Sequence, residues 1–295
     1  FISSTFWTER SGYVAGLKKH GIAVPQSVNS STIEEKMGWP IGWSERYSGV
    51  KKRHWVMDGE SNGDLGFSAC QKALDTAGCS IEEIDLLLFA GATYDYIIPN
   101  QASIIKYLLD PKDKCLISCI DIDTTCLSFI TGFEMALEKL ALGSANKVLI
   151  VSAEVSSRGL NHDHRETYSL FGDAAAAFVI SKDGSGFKGQ LLNAQLQTYS
   201  EGVFDTIIKG GGNKMPFKDY AYDREVFSFQ MNGKRLLRMA KRHIPPFFES
   251  FFKPLQTSWK KVDVLIPHQA SKMGLNLLKS LYSFDKLGVK IPSTL

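Results

Sequence analysis

Ile122-Asp-Thr-Thr-Cys-Leu-Ser-Phe129 places the thiol of Cys126 between an apolar, β-branched run and a stretch of helical periodicity. Unpaired backbone N–H groups and the positive end of a helix dipole at such a junction favour thiolate over thiol, and the same N–H groups can hold an oxyanion. That chemistry suits a nucleophile that forms a covalent intermediate. A packed cysteine in a strand-to-helix turn fits the position equally well. His268 stands at a similar junction, after Val262-Asp-Val-Leu-Ile-Pro267 and ahead of a second helical stretch. Catalytic groups of open α/β sheets gather at the carboxyl ends of strands, which is where both residues fall. The alternative for His268 is a helix-capping histidine.

The other polar residues offer less chemistry. His54, in Lys51-Lys-Arg-His-Trp55, reads as a solvated basic strand end. His162 and His164 flank Asp163 in a polar loop with no matching Cys or His pair nearby, so no metal site is expected. His243 reads as a surface residue of a basic helix, in which Lys234, Arg238 and Lys241 recur at i, i+4 and i+7 opposite Leu236 and Leu237. Such a stripe is either a solvated face or a dock for an acidic partner or for phosphates. Gly210-Gly-Gly212 has the spacing of neither glycine-rich phosphate motif and reads as a flexible turn.

The 295 residues, 44% of them hydrophobic, suffice for one large domain or two fused halves. Lys+Arg 34 against Asp+Glu 31 leaves +3, too small a bias for a nucleic-acid partner. The apolar runs at Asp85–Phe89 and Lys147–Val151 are far shorter than the roughly 20 residues of a membrane span. Phe1 to Gly12 lacks the basic start and apolar stretch of a secretory signal and reads as a leader outside the fold. Five cysteines (Cys70, Cys79, Cys115, Cys119 and Cys126) make an odd count without paired CxxC motifs. That pattern argues against disulfide or metal frameworks and for a reducing, cytoplasmic setting.

Asp64 to Gly78 is predicted helical, and Ser80-Ile-Glu-Glu leads into a strand-like run from Ile84 to Ala90. Pro99-Asn-Gln-Ala-Ser103 opens a helical stretch through Leu109, and Cys115 to Asp123 reads as a buried strand. Leu127 to Leu142 is predicted helical, stopped by Gly143, and Lys147 to Val155 is another buried strand. This alternation implies right-handed crossovers and a parallel sheet covered on both faces, an α/β fold. A polar loop, 156–169, leads into Phe171-Gly-Asp-Ala-Ala-Ala-Ala-Phe-Val-Ile180. Asp183-Gly-Ser-Gly186 then separates two halves, 13–183 and 187–295. Val262-Asp followed by Pro267-His-Gln-Ala-Ser271 echoes Ile84-Asp followed by Pro99-Asn-Gln-Ala-Ser103. An amphipathic helix precedes each copy, Leu65 to Ala77 and Asn232 to Phe252. Internal duplication accounts for the echo and sets His268 opposite Cys126 in one shared site.

These residues resemble β-ketoacyl-acyl carrier protein synthase III and its relatives in the thiolase-like superfamily, from about Val14 to His268. The likeness rests on Trp43 to Arg53, Asp121 to Phe129, Phe171-Gly-Asp-Ala-Ala-Ala-Ala177 and Val264-Leu-Ile-Pro-His-Gln-Ala270. It implies a thiolase-like fold, two pseudo-duplicated halves in a five-layer αβαβα sandwich. It also implies an acyltransferase of fatty-acid or related secondary-metabolite synthesis. Cys126 would take the acyl group from acyl-CoA or acyl carrier protein. His268 would stabilise the enolate formed by decarboxylation of a malonyl thioester, giving a β-ketoacyl product. Trp43 and Arg46 match positions that contact coenzyme A, Asn232 falls near the pantetheine position, and Lys234 and Arg238 lie in the carrier-docking stretch. The resemblance implies no metal or organic cofactor. It implies acyl carrier protein as partner and a homodimer in which the second subunit closes the acyl pocket near Asp95 and Tyr96.

The family completes its catalytic triad with an asparagine beyond the histidine, then a Gly-rich strand that supplies an oxyanion-hole N–H. Neither is found between His268 and Leu295. Asn276, on the helix after His268, is a poor substitute, and segments around Asp285 and beyond Leu295 are expected to be missing from the chain as written. Two alternatives remain open at this point. One is a 3-hydroxy-3-methylglutaryl-CoA-synthase-like enzyme with Glu134 or Glu138 as acid–base group. The other is a catalytically silent pairing subunit.

Overall fold

The computed structural model describes residues 15–182, 187–189, 191–219 and 222–292. The leader 1–12, residues 13–14, the boundary turn 183–186 and residues 293–295 lie outside the described residues. In chain order the first half forms β1 (Ala15–Ala23), β2 (Gln26–Asn29), α1 (Ser30–Met37), α2 (Trp43–Ser48), β3 (Lys52–Trp55) and α3 (Asn62–Ala77). It continues with β4 (Leu86–Ala90), α4 (Gln101–Leu109), β5 (Ser118–Ile122), α5 (Ser128–Ala141), β6 (Lys147–Val155), α6 (Arg165–Tyr168) and β7 (Asp173–Ser181). The second half forms β8 (Phe187–Gly189), β9 (Thr206–Ile207), α7 (Arg224–Phe227), β10 (Gln230–Met231), α8 (Gly233–Phe252), α9 (Lys272–Leu281) and α10 (Phe284–Leu287).

One six-stranded sheet, ordered β5-β4-β6-β7-β1-β8, organises the first half. Every residue of β4 is buried, as its unbroken apolar run predicts for a central strand. Its side chains alternate between two faces. Leu87 and Phe89 pack with Leu65, Ala69 and Ala73 of α3 and with Ile105 of α4. Leu86, Leu88 and Ala90 pack with Ala136 and Leu140 of α5. Each fully buried Leu or Phe side chain here contributes about 2–3 kcal/mol.

The sheet departs from expectation in two ways. It is mixed rather than parallel: β4 runs parallel to β5 and β6, while β7 returns antiparallel to β6 and β1 antiparallel to β7. The link from β6 to β7 contains a 3-10 turn, Ser156–Gly159, and the four-residue α6, both too short to serve as a helix covering the sheet in a crossover. The expected buried strand at 115–123 is the shorter β5 at the edge of the sheet, with Ser118 and Ile120 exposed; among the described residues no further strand pairs with its outer side.

The second half is helical where it is best packed. Phe247, Phe248, Phe251 and Phe252 of α8 form a cluster with Trp259, Leu265, Leu278 of α9 and Phe284 of α10. Extended pairing among its described residues comprises the two-residue strands β9 and β10, β8 on the first sheet, and one parallel bridge from Val264 to Lys290. The echoed motif also folds differently in its two copies. Gln101, Ala102 and Ser103 form the first turn of α4, whereas Gln269 and Ala270 precede α9 and Ser271 caps it.

Gly21 shows how tightly α3 lies on the sheet. A Cβ there would fall 2.1 Å from Ala69 O and 2.5 Å from Ala73 N, both helix backbone. Gly21→Ala is therefore expected to destabilise the fold by about 3 kcal/mol, the upper end for overpacking, read as a lowered midpoint in denaturant.

Candidate active site

Cys126 occupies a single 3-10 turn, Thr125–Leu127, between the end of β5 and the start of α5. Of the five cysteines it is the exposed one; Cys70 and Cys115 are buried and Cys79 and Cys119 half-buried. The turn is stitched by side chains. Thr124 N–H donates to Ser128 Oγ at 3.0 Å, Ser128 Oγ–H donates to Thr125 O at 2.7 Å, and the Thr124 and Thr131 hydroxyls meet at 2.8 Å. Asp121 holds the strand end against α4 by accepting from Gln101 N–H at 2.7 Å and Ala102 N–H at 2.8 Å.

The helix-start position predicts a lowered thiol pKa, and the structure reverses that expectation. Burial pushes the Cys126 thiol up, the charge of Glu154 adds to the rise, and the residue's own backbone N–H opposes it. The side chain meets solvent on one side while protein desolvates it on the others. α5 proper begins at Ser128, directly after the 3-10 turn that holds Cys126. Glu154 is a charged neighbour of the thiol that sequence reasoning missed: Glu134 and Glu138 lie further along α5, whereas the charge of Glu154 reaches the thiol. Glu154 accepts from Ala92 N–H and Thr93 Oγ–H, each at 2.7 Å, which fixes the loop after β4. The one signal for it was an acid in the otherwise apolar or small run Val151-Ser-Ala-Glu-Val155.

His268 neither ends a strand nor opens a helix. It lies in an irregular segment between the Val264 bridge and α9, and Ser271 Oγ, not the histidine, caps that helix by accepting from Gly274 N–H at 3.1 Å. Desolvation pushes its imidazole below the usual histidine range, although the residue as a whole is exposed. Among the described residues no hydrogen bond joins His268 to Cys126. Asn276 is exposed on α9.

Of the remaining expected site residues, Trp43 and Arg46 lie on α2 in the first half, whereas Asn232, Lys234 and Arg238 lie at the start of α8 in the second. Glu34, fully buried, accepts from Gly42 N–H at 2.6 Å and Ser44 N–H at 2.7 Å and so pins the start of α2. Burial pushes its carboxyl up, but those donors and the Arg53 charge outweigh it and hold the group below the usual range. Trp43, at the pinned end, stacks on Tyr47 at 4.9 Å and lies 5.3 Å beneath the Arg165 guanidinium, which also covers Trp39 at 5.1 Å. Arg165 is a second missed residue, because nothing in its loop's spacing marks it as an aromatic partner. Arg46 instead donates from Nε to Gly42 O at 3.2 Å, back onto its own helix start.

Glu166, beside Arg165, lines a cleft of about 820 Å³ together with Phe204, Lys209, Lys214, Asn232 and Lys234. Asn232 caps α8 by accepting from Arg235 N–H at 3.1 Å. On the same helix Arg235 pairs with Asp205 at 2.9 Å and Arg242 with Glu201. Lys234, Arg238 and Lys241 are exposed and, among the described residues, make no ion pair.

The other histidines and the glycine run are structural. Arg53 is buried and His54 half-buried with Nδ1 2.7 Å from Pro25 O, so this strand end is not solvated. His164 pairs with Glu225 at 2.7 Å, and His162 lies between Asp163 and Arg224. Among the described residues no group of three or more His, Cys, Asp or Glu side chains is placed to hold a metal ion. His243 is half-buried rather than on the surface, stacked on Tyr199 at 3.8 Å. Gly210 abuts Phe227, where a Cβ would fall 2.4 Å from the ring, and Gly211 takes φ +94°, so this turn is a packed one.

Two outcomes follow. Glu34→Ala leaves the buried Ser44 N–H and the half-buried Gly42 N–H unpaired and is expected to cost about 2 kcal/mol of stability. Because the folded carboxyl sits below its unfolded value, the stabilisation from Glu34 is present above the unfolded pKa and is lost as pH falls through the folded one, measurable as a wild-type-minus-variant difference in denaturation across acid pH. For Cys126, alkylation by iodoacetamide is expected to rise with pH to a midpoint above the ordinary thiol range, and Glu154→Gln is expected to move that midpoint down.

The family model for 3-oxoacyl-[acyl-carrier-protein (ACP)] synthase III matches residues 120–200, which include Cys126. A β-ketoacyl-[acyl-carrier-protein] synthase III from Oleidesulfovibrio alaskensis is 30% identical over 263 residues, covering 88% of this chain and 77% of the relative. A synthase III from Fusobacterium nucleatum is likewise 30% identical over 262 residues, 87% of this chain and 77% of the relative. The crystal structure of 3-oxoacyl-[acyl-carrier-protein] synthase III from Aquifex aeolicus superposes with a TM-score of 0.78 at 22% identity, over 94% of this chain and 84% of that one. Such a superposition establishes the thiolase-like fold, and no described helix is long and apolar enough to cross a membrane. The identity shared with curated relatives across most of both chains, with the exposed cysteine inside the matched segment, makes this chain a member of the β-ketoacyl-[acyl-carrier-protein] synthase III family.

Proposed function

We propose that this chain is a condensing acyltransferase that loads an acyl group onto Cys126 and extends it with a malonyl thioester. The observation that carries the reading is the exposed thiol of Cys126 in the turn between β5 and α5. Its thiolate attacks the thioester carbonyl, backbone N–H groups of the turn stabilise the tetrahedral oxyanion, and the coenzyme A or carrier thiolate leaves with a proton. A malonyl thioester then loses CO₂, the electron pair of the broken C–C bond passes into an enolate, and the neutral His268 ring donates a hydrogen bond to its oxygen. The enolate carbon attacks the acyl-cysteine, and expulsion of the Cys126 thiolate yields the β-ketoacyl product. No step calls on a metal or organic cofactor.

Trp43 and Arg165 supply a flat, cationic surface for an adenine ring. The cleft beside them carries Lys209, Lys214 and Lys234, suited to coenzyme A phosphates, with Asn232 along the pantetheine path. Arg46, held on its own helix, is the weaker contact. The unpaired Lys234 and Arg238 suit an acidic carrier protein. The outer edge of β5, with Leu116 93%, Ile97 82% and Ile98 85% exposed nearby, suits a second copy of the chain and hence a homodimer in the cytoplasm.

Cys126→Ala is expected to take no acyl mass from an acyl-CoA panel by intact-mass spectrometry; acylation that persists excludes this nucleophile. A wild-type chain that takes none favours the silent pairing subunit. His268→Ala should acylate normally yet fail to release CO₂ from malonyl thioester, and undiminished release removes His268 from the mechanism. Trp43→Ala is expected to raise KM for acyl-CoA about tenfold while leaving a pantetheine thioester, which lacks the nucleotide, unaffected.

A further inference from the structure

Thr125, immediately before Cys126, sits at φ +53°, in the left-handed region. A β-branched residue is out of its ordinary range there, because the branch crowds its own backbone. Asp113 and Gln256 are the other described non-glycine residues in this region, and neither is β-branched. Strain of this kind persists only where the surroundings over-determine the backbone. At Thr125 they do so from both sides. Asp123 Oδ1 accepts the Thr125 N–H at 2.8 Å, and Ser128 Oγ–H donates to the Thr125 carbonyl at 2.7 Å. The Thr125 hydroxyl adds a bond to Thr124 O at 2.8 Å. Among the described residues, only Asp123 holds the N–H.

We propose that Asp123 is a positioning residue whose carboxylate clamps Thr125 in the left-handed turn and thereby fixes the direction in which the Cys126 thiol is presented. The inference rests on the reading of Cys126 as acyl acceptor and adds the device that aims it. A relaxed Thr125 would rotate the peptide that carries the Cys126 N–H, a group that favours thiolate at this site. Asp123 shares its surroundings with Tyr94, Asp121 and Glu154, from the loop after β4, from β5 and from β6. The clamp therefore works in an acidic neighbourhood, where losing an N–H donor to the sulfur is most damaging.

The test uses four variants of the full chain: D123A, D123N, T125G and the double D123A/T125G. Acylation by acyl-CoA is followed by intact mass, and alkylation by iodoacetamide is followed against pH. D123A is expected to acylate about tenfold slower than wild type, the lower part of the range for released backbone strain. D123N keeps an oxygen that accepts the same N–H and is expected to stay within about threefold. Both variants remove the charge, so the alkylation midpoint of D123A above that of D123N isolates the hydrogen bond. Glycine takes positive φ without strain, so adding D123A to T125G should change its rate less than about twofold.

The proposal is overturned if D123A acylates like wild type, if D123N is as slow as D123A, or if D123A costs as much in the T125G background. If D123A does not fold, the double variant must fold and acylate like T125G, and its failure also overturns the proposal. A wild-type chain that takes no acyl group sinks the acyl-acceptor reading alone. The alkylation midpoints still decide the clamp, and coincident D123A and D123N profiles reject it.

Discussion

The parallel pairing of β4 with its two neighbours is the constraint on which the rest of the structure depends. Phe89 registers with Asp121 of β5 and with Val151 of β6, so β4 and β5 end at one level while β6 runs on to Val155. Whatever follows or ends them is brought together there: the loop from Gly91 to Asp95, the turn that carries Cys126, and Glu154. The burial of β4 on both faces makes this arrangement stiff. Its alternate side chains are locked by α3 and α4 on one side and α5 on the other, and a slip of one residue would exchange the two faces.

Onto this frame the loops are fastened by carboxylates that accept backbone N–H groups distant in sequence. Asp95 receives Asn62 and Gly63 N–H at 2.8 Å each, Asp173 receives Val56 and Ser157 N–H at 2.8 Å each, and Asp121 and Glu34 act likewise. Bonds to a charged acceptor are stronger than neutral ones, and each removes an orphan donor from a helix start or a connecting loop. The acids near the site are thus mostly structural fasteners. Their cost is electrostatic: the charge of Glu154 adds to burial in raising the Cys126 thiol. Basic groups stand elsewhere, on the cleft and on α8, so a net charge of +3 conceals two regions of opposite sign.

Much of the first half was legible because its signals are local. The unbroken apolar runs of β4 and β6, the left-handed stop at Gly143 and the isolation of Cys126 from any pairing motif each depend on a few adjacent residues. The family resemblance added what local signals lack, a chemical role for Cys126 and His268. Strand direction and edge position were not legible: β7 and β5 have apolar content fit for a buried parallel strand, and only their neighbours decide otherwise. The echo of Pro-x-Gln-Ala-Ser likewise pointed to two similar helix starts, yet its second copy lies before α9 rather than within its first turn.

By itself, then, the sequence determined which side chains are reactive and which stretches are able to be strand or helix, because nucleophilicity and periodicity are properties of single residues and short runs. Tertiary structure alone decided the environment of those side chains. It set the charge of Glu154 against Cys126, laid Arg165 over Trp43, freed Lys234 and Arg238 while pairing Arg235, and held Thr125 at a backbone angle that its residue type resists. Electrostatic shifts, ring contacts and strain all depend on distances between groups far apart in the chain, and those distances exist only once the sheet has closed.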